Sequence, residues 1–196
     1  MTTATDTLAH PGLADPVHDA QAAFRAVLQA LSHPGTLHDV PAPPDPPPSL
    51  APATAAVLLA LADGEAPVHL AGPFAALSPW IAFHTGSAEA APDEAAFVVT
   101  DTLPDFAMLS SGSDEIPEAS TTIVLQVPAL EGGRALTLRG PGIETCWTFA
   151  PQGLPDDFIA RWAANRRLYP RGVDLLLCAG DRVAALPRST TVTEAE

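Results

Sequence analysis

Lysine is missing from this chain altogether: all nine basic residues among its 196 are arginine, set against 23 acidic ones. The absence removes three chemistries, because a Schiff base to pyridoxal phosphate, a P-loop phosphate anchor and a kinase-type nucleotide anchor each need a primary amine on a flexible stem. Cysteine is nearly as scarce. Cys146 and Cys178 are too far apart for a CxxC pair and too few for a four-thiolate zinc site or an iron–sulfur cluster held by this chain alone. The formal charge of -14 argues against tracking a nucleic-acid backbone, which needs clustered cations to release counterions. No apolar run reaches the roughly 18 residues that cross a bilayer, and the Met1-Thr2-Thr3 start lacks a basic segment followed by an apolar one. The expectation is a cytoplasmic protein with reduced thiols and neither nucleic acid nor membrane as partner.

Apolar material is plentiful. Hydrophobic residues make up 47% of the chain and charged ones 16%, enough buried surface to offset the entropy of ordering. The length suits one domain, expected over residues 15–191, with flexible ends at 1–14 and 192–196 where the sequence is small, polar and without periodicity. Asp15-Pro16 is a capping residue followed by proline, and Pro34-Gly35 is a stop, so residues 16–32 read as a helix. Within it Ala20, Phe24, Val27, Leu28 and Leu31 recur at helical spacing and are expected to be buried. Residues 41–48 (PAPPDPPP) read as an extended surface connector. The sharper alternative for that run is an SH3-type ligand, which Asp45 disfavours where a basic anchor belongs. A second helix is expected over 53–62, and a third over 156–168, with acids in its first turn and Arg166 and Arg167 in its last.

Strand signals fall at 68–71, 81–84, 96–100, 122–127, 135–138, 146–149, 173–178 and 182–186. The runs TIVLQV and VDLLLC are almost continuously apolar, as in strands covered on both faces. The fold class that follows is α/β, a three-layer αβα sandwich with a mixed sheet.

Candidate chemistry is sparse. His18 and Asp19, with His33 and His38 around Pro34-Gly35, match no zinc spacing, so structural histidines are favoured over a metal site. His84, expected at a strand end, is either a general base or a satisfied structural donor. Gly132-Gly133-Arg134 reads as a hairpin turn joining TIVLQV to ALTLR in preference to an anion nest, and Pro141 removes a donor from Gly140-Pro141-Gly142. Arg166, Arg167 and Arg171 bracket Tyr169 in the densest basic patch of an acidic chain; they bind an anion or partner, or they cap a helix and pair with acids. Ser110, Ser111 and Ser113 lack a nucleophile elbow. Trp80, Trp147 and Trp162 are interface anchors or core.

The segments Asp19-Ala20-Gln21, Phe24-Arg25, Ala30-Leu31-Ser32, Pro34-Gly35, Leu58 to Asp63, Phe83-His84-Thr85 and Gly140-Pro141-Gly142-Ile143 form an ordered set with three C-terminal blocks. These are Tyr169-Pro170, Gly172-Val173-Asp174 and Gly180-Asp181-Arg182 through Leu186-Pro187-Arg188. Together, from about Asp15 to Thr191, they resemble the PhnH family, the H subunit of the bacterial carbon–phosphorus lyase machinery. Ser113 and Ser120 stand where the family pattern has Thr and Gly, and Arg171 where an apolar residue is common.

The resemblance implies a role in phosphonate use, in a complex with G, I and J subunits that couples methylphosphonate and similar compounds to the ribose of ATP with loss of adenine. It implies a fold like the large domain of pyridoxal phosphate-dependent transferases without that cofactor, a homodimer when alone, and iron–sulfur radical chemistry confined to the J subunit. It carries over no catalytic residue, no cofactor and no metal. The reading that follows is a non-catalytic, cofactor-free subunit. Its rival is a subunit that lends an anion-binding, nucleotide-binding or acid–base site through Arg166, Arg167, Tyr169, Arg171 or His84.

Overall fold

The first helix begins at His18, two residues after the start at Pro16 that the sequence predicts. In the computed structural model, which describes residues 8–195, the Asp15 carboxylate accepts hydrogen bonds from the backbone N–H groups of His18 and Val17 at 3.0 and 3.1 Å. Those donors hold the Asp15 carboxyl below its ordinary value. Helix α1 spans His18–Ser32, and strand β1, His38–Asp39, follows. The proline-rich run, with neither helix nor strand, leads into α2, Pro52–Leu61. Next come β2 (Val68–Leu70), α3 (Ser78–Thr85), β3 (Phe97–Thr100) and β4 (Thr122–Gln126). The chain continues through β5 (Leu136–Arg139), β6 (Trp147–Phe149), α4 (Phe158–Arg166), β7 (Asp174–Ala179), β8 (Arg182–Leu186) and β9 (Thr191–Glu194).

Six strands form one mixed sheet in the order β1-β8-β7-β4-β3-β2. Strands β2, β3, β4 and β7 run parallel, while β8 and β1 are antiparallel to their neighbours. Because successive side chains alternate across a strand, Val99, Val124, Leu176 and Cys178 face α1, α2 and α3. Val98, Ile123, Leu125, Leu175 and Leu177 face the other way, onto α4 and a small antiparallel sheet ordered β6-β5-β9. The apolar runs of β4 and β7 are thus covered on both faces, as the sequence indicates. The layers differ from an αβα sandwich, since the second outer layer is a three-stranded sheet with one helix.

Several expectations are corrected. The run 81–84 is helical and belongs to α3, whose start carries Ser78-Pro79 and whose end is capped by Gly86 in the left-handed region; these local signals outweigh a short apolar stretch. The turn at Gly132-Gly133 is no hairpin, because β4 lies in the large sheet and β5 in the small one. The C-terminal stretch expected to be flexible supplies β9, paired with β5 through Leu138↔Val192. At the other end, residues 1–7 lie outside the described residues. His10 nearby rests on α3, its carbonyl accepting from Trp80 Nε1 at 3.0 Å.

The buried face of α1 is also rotated from the predicted one. Ala23, Ala26, Val27 and Ala30 point inward, Leu31 is partly buried, and Phe24 and Leu28 are 51% and 49% exposed. Small side chains let α1 approach α2 and β8 closely. The bulky residues of the same amphipathic helix are left outside.

Candidate functional site

The sheet's carboxyl edge, where open α/β folds commonly seat ligands, is filled here by the chain itself. Gln126 at the end of β4 accepts hydrogen bonds at Oε1 from the Ala51 N–H and the Thr54 hydroxyl, at 2.7 and 2.9 Å. Its amide Nε2 donates to the Ser49 carbonyl at 3.1 Å, fastening the end of the connector and the start of α2 over that edge. Cys178 lies buried beside them, and burial pushes its thiol up to about 12. It is a protonated core side chain.

The Tyr169-Pro170, Gly172-Val173-Asp174 and Leu186-Pro187-Arg188 segments gather at the opposite edge, whereas Gly180-Asp181-Arg182 turns at the carboxyl edge, where the Gly180 carbonyl accepts from the Ala53 N–H at 2.8 Å. Trp162 is fully buried on α4 and donates from Nε1 to the Thr190 carbonyl at 2.9 Å. One turn further, buried Asn165 donates from Nδ2 to the Val173 carbonyl and accepts from the Val173 N–H, both at 2.9 Å. This two-bond clamp fixes the Tyr169–Gly172 turn, in which the Tyr169–Pro170 peptide is cis. Gly172 has φ +116, and a Cβ there would lie 2.8 Å from Asn165 Oδ1, so both backbone angle and space require glycine.

Asp174 and Arg188 tie the turn to the rest of the edge. Their side chains are only 21% and 14% exposed. The Arg188 Nε donates to both carboxylate oxygens at 3.1 Å, Nη2 donates to Oδ2, and the Arg188 backbone N–H donates to Oδ1 at 2.7 Å. The remaining Nη1 reaches the carbonyls of Pro117 at 2.7 Å and Pro170 at 3.5 Å. One guanidinium therefore joins three segments: the Gly172-Val173-Asp174 block, the Leu186-Pro187-Arg188 block and the 110–120 loop. That loop is held further by the Gly172 N–H, which donates to the Ser111 carbonyl at 2.9 Å, and by an ion pair between Arg171 Nε and Asp114 Oδ1 at 3.2 Å. Reading the patch as arginines alone misses this pair, although both residues stand inside the quoted sequence blocks. Only the fold shows that one carboxylate answers one guanidinium across 14 positions.

Four of the five candidate residues are brought together. Arg166, Arg167 and Tyr169 are exposed at the end of α4, with Arg171 half-buried beside them. Arg166 makes one long bond, Nε to the Ser189 carbonyl at 3.4 Å, and among the described residues no carboxylate pairs with it or with Arg167. A cavity of about 390 Å³ opens beside them, walled by Phe106, Leu109, Arg161, Leu168 and Val173. The Arg161 guanidinium sits 5.2 Å from the Phe106 ring centre and donates to the Pro104 carbonyl, so it is built into the wall. Met108, Leu168, Tyr169 and, on the adjoining loop, Ile116 are exposed apolar side chains around this region.

His84 is not among them. It lies in the last turn of α3, on the helix-covered face of the sheet, packed on Trp80 and Phe83 with Nε2 3.2 Å from the His10 carbonyl. Three other histidines have local partners, His18 with Asp15 at 2.8 Å, His33 with the Gln29 carbonyl at 3.3 Å and His38 with the Thr36 hydroxyl at 2.7 Å, while His10 meets Asp45 at 3.2 Å and His69 the Ala90 carbonyl at 3.0 Å. Among the described residues no three His, Cys, Asp or Glu side chains converge as metal ligands. At the glycine turns, Gly133 N–H donates to Ala150 and Ile143 N–H to Gly140. Ser110 Oγ is held by the Ala119 carbonyl at 2.9 Å. Of the tryptophans, Trp80 and Trp162 are core and Trp147 is half-exposed.

Comparison with known proteins adds the following. A family model described as bacterial phosphonate metabolism protein (PhnH) matches residues 11–193. The alpha-D-ribose 1-methylphosphonate 5-triphosphate synthase subunit PhnH of Rhizobium meliloti (strain 1021) is 41% identical over 194 residues, 96% of this chain and 97% of that protein. A putative C-P lyase subunit protein, HtxG of Stutzerimonas stutzeri, is 33% identical over 177 residues, covering 88% of this chain and 85% of its own length.

Proposed function

The chain belongs to the PhnH family of bacterial phosphonate metabolism proteins, and from that premise we propose that it is a non-catalytic, cofactor-free subunit of a carbon–phosphorus lyase complex. It serves phosphonate catabolism by shaping an assembly with G, I and J subunits, which joins alkylphosphonate to the ribose of ATP with release of adenine. Alone it forms a homodimer in the cytoplasm. Residues 15–191 act as one domain related in fold to the large domain of pyridoxal phosphate-dependent transferases, without a lysine for that cofactor.

The observation that carries the reading is what occupies the sheet's carboxyl edge. Gln126 seats the chain's own connector and α2 there, and the arginine patch at the far edge lies on rigid, solvent-facing backbone. Such a design favours presenting surface over enclosing substrate. A second reading, an anion or nucleotide site lent to the same reaction, draws on Arg166 and Arg167, whose charges no carboxylate answers among the described residues.

Solution size tests the proposal. Native mass spectrometry of the purified chain is expected to give a particle twice its 20.2 kDa, shifting into a larger one when the other subunits are added. A chain that keeps its own size in their presence would overturn it.

A further inference from the structure

Resting on the subunit reading, we infer that the end of α4 and the turn after it form the docking surface for a different polypeptide, and that the segment seated there is acidic with an apolar side chain at its tip. Five arginines are answered by carboxylates: Arg134 by Glu194, Arg161 by Asp157, Arg171 by Asp114, Arg182 by Glu131 and Arg188 by Asp174. Arg139 donates to the Thr145 carbonyl, and Arg25, on α1, has no ion pair among the described residues. Arg166 and Arg167 are thus adjacent, exposed and without a carboxylate among the described residues, in a chain of net charge -14. Acids are abundant, and among the described residues none pairs with these two arginines.

Apolar exposure coincides with that pair. Tyr169 is 64% and Met108 63% exposed, with Leu168 and Ile116 close behind. Leu168 also lines the 390 Å³ cavity, whose other walls include Phe106, Leu109, Val173 and, at its rim of polar residues, Asp105, and which has room for one aliphatic or aromatic side chain. Aromatic, methionine and arginine residues around a pocket match the composition of protein interface centres. The base is rigid, since Asn165, Asp174 and Arg188 fix the turn, so little ordering opposes binding.

The geometry favours another polypeptide over a second copy of this chain. A two-fold contact of the patch with itself would bring two Arg166–Arg167 pairs onto one axis and set like charges together. The outer stripe of α1, Val17, Phe24 and Leu28, offers apolar surface without an adjacent basic pair.

The test uses the chain co-expressed with the other subunits of its system. Arg166→Glu with Arg167→Glu, and separately Leu168→Asp, are expected to leave circular dichroism and Tm of the isolated chain unchanged while weakening its retention in the complex about tenfold or more. A milder pair, Arg166→Gln with Arg167→Gln, is expected to flatten the loss of retention that added salt produces in the unaltered complex. A photo-reactive p-benzoylphenylalanine at Tyr169 is expected to cross-link to another polypeptide within a stretch of net negative charge. Equal assembly of all variants, or a cross-link to a second copy of this chain, would overturn the inference. So would loss of methylphosphonate binding by the Glu pair with assembly intact, which would mark a small-anion site. If the unaltered chain joins no particle, the subunit reading fails as well; if it joins and the variants join equally, only this surface fails.

Discussion

Helices α1 and α4 lie on opposite faces of the six-stranded sheet and solve the same packing problem in opposite ways. Helix α1 buries three alanines and Val27, and leaves Phe24 and Leu28 outside. Helix α4 buries Phe158, Trp162 and Asn165 and leaves two arginines outside. The first is fastened by close approach of small side chains and turns a plain apolar stripe to its surroundings. The second is fastened by large aromatics and a hydrogen-bond clamp, and turns outward charge that no carboxylate pairs with among the described residues. One sheet therefore carries two outer surfaces suited to different contacts, which the proposed homodimer and the proposed heteromeric complex both require.

Substitutions on the two helices break the comparison in a definite order. Trp162→Ala removes the largest buried side chain of α4 and its bond to Thr190, and is expected to destabilise the fold by about 3–5 kcal/mol in urea denaturation. Arg188→Ala, which strands Asp174 under a turn built around it, is expected to act within a similar range of about 3–5 kcal/mol. On α1 the sensitivity is to added bulk. Ala23→Leu is expected to lower stability by about 1–3 kcal/mol through overpacking against α2 and β8. Phe24→Ser and Leu28→Ser are expected to change it by no more than about 0.5 kcal/mol while weakening self-association. Were Phe24→Ser as damaging as Trp162→Ala, the assignment of inner and outer faces on α1 would be wrong.

The central strands were legible because their chemistry is local. TIVLQ and DLLLCA are apolar on both faces, and only a sandwiched sheet buries both. The face of α1 was not legible, because periodicity weighs Phe and Leu above Ala, whereas close approach to another helix selects the smaller residue. Residues 81–84 failed for a different reason: a four-residue apolar run does not distinguish strand from helix, and the flanking Ser78-Pro79 and Gly86 decide it. At the candidate site the arginines were readable as a cluster. The Asp174–Arg188 pair, which holds them in place, depends on two antiparallel neighbours, β7 and β8, bringing distant positions together.

The smallest effect concerns pH. Burial and the nearby His33 charge lower the His38 pKa, against an opposing pull from Asp39. A histidine held below its unfolded value of 6.5 contributes fully above that pH, and its contribution is lost as pH falls through the folded value. His38→Gln is therefore expected to remove a slight part of the stability lost just below neutrality, read as a smaller change in Tm between neutral and mildly acidic buffer.

The central claim is that this polypeptide supplies surface and leaves the chemistry to its partners. The most direct measurement incubates the purified chain alone with ATP and methylphosphonate and follows adenine release by chromatography. The account predicts none above the rate without protein. Sustained release by the isolated chain, abolished by Arg166→Gln with Arg167→Gln, would contradict it.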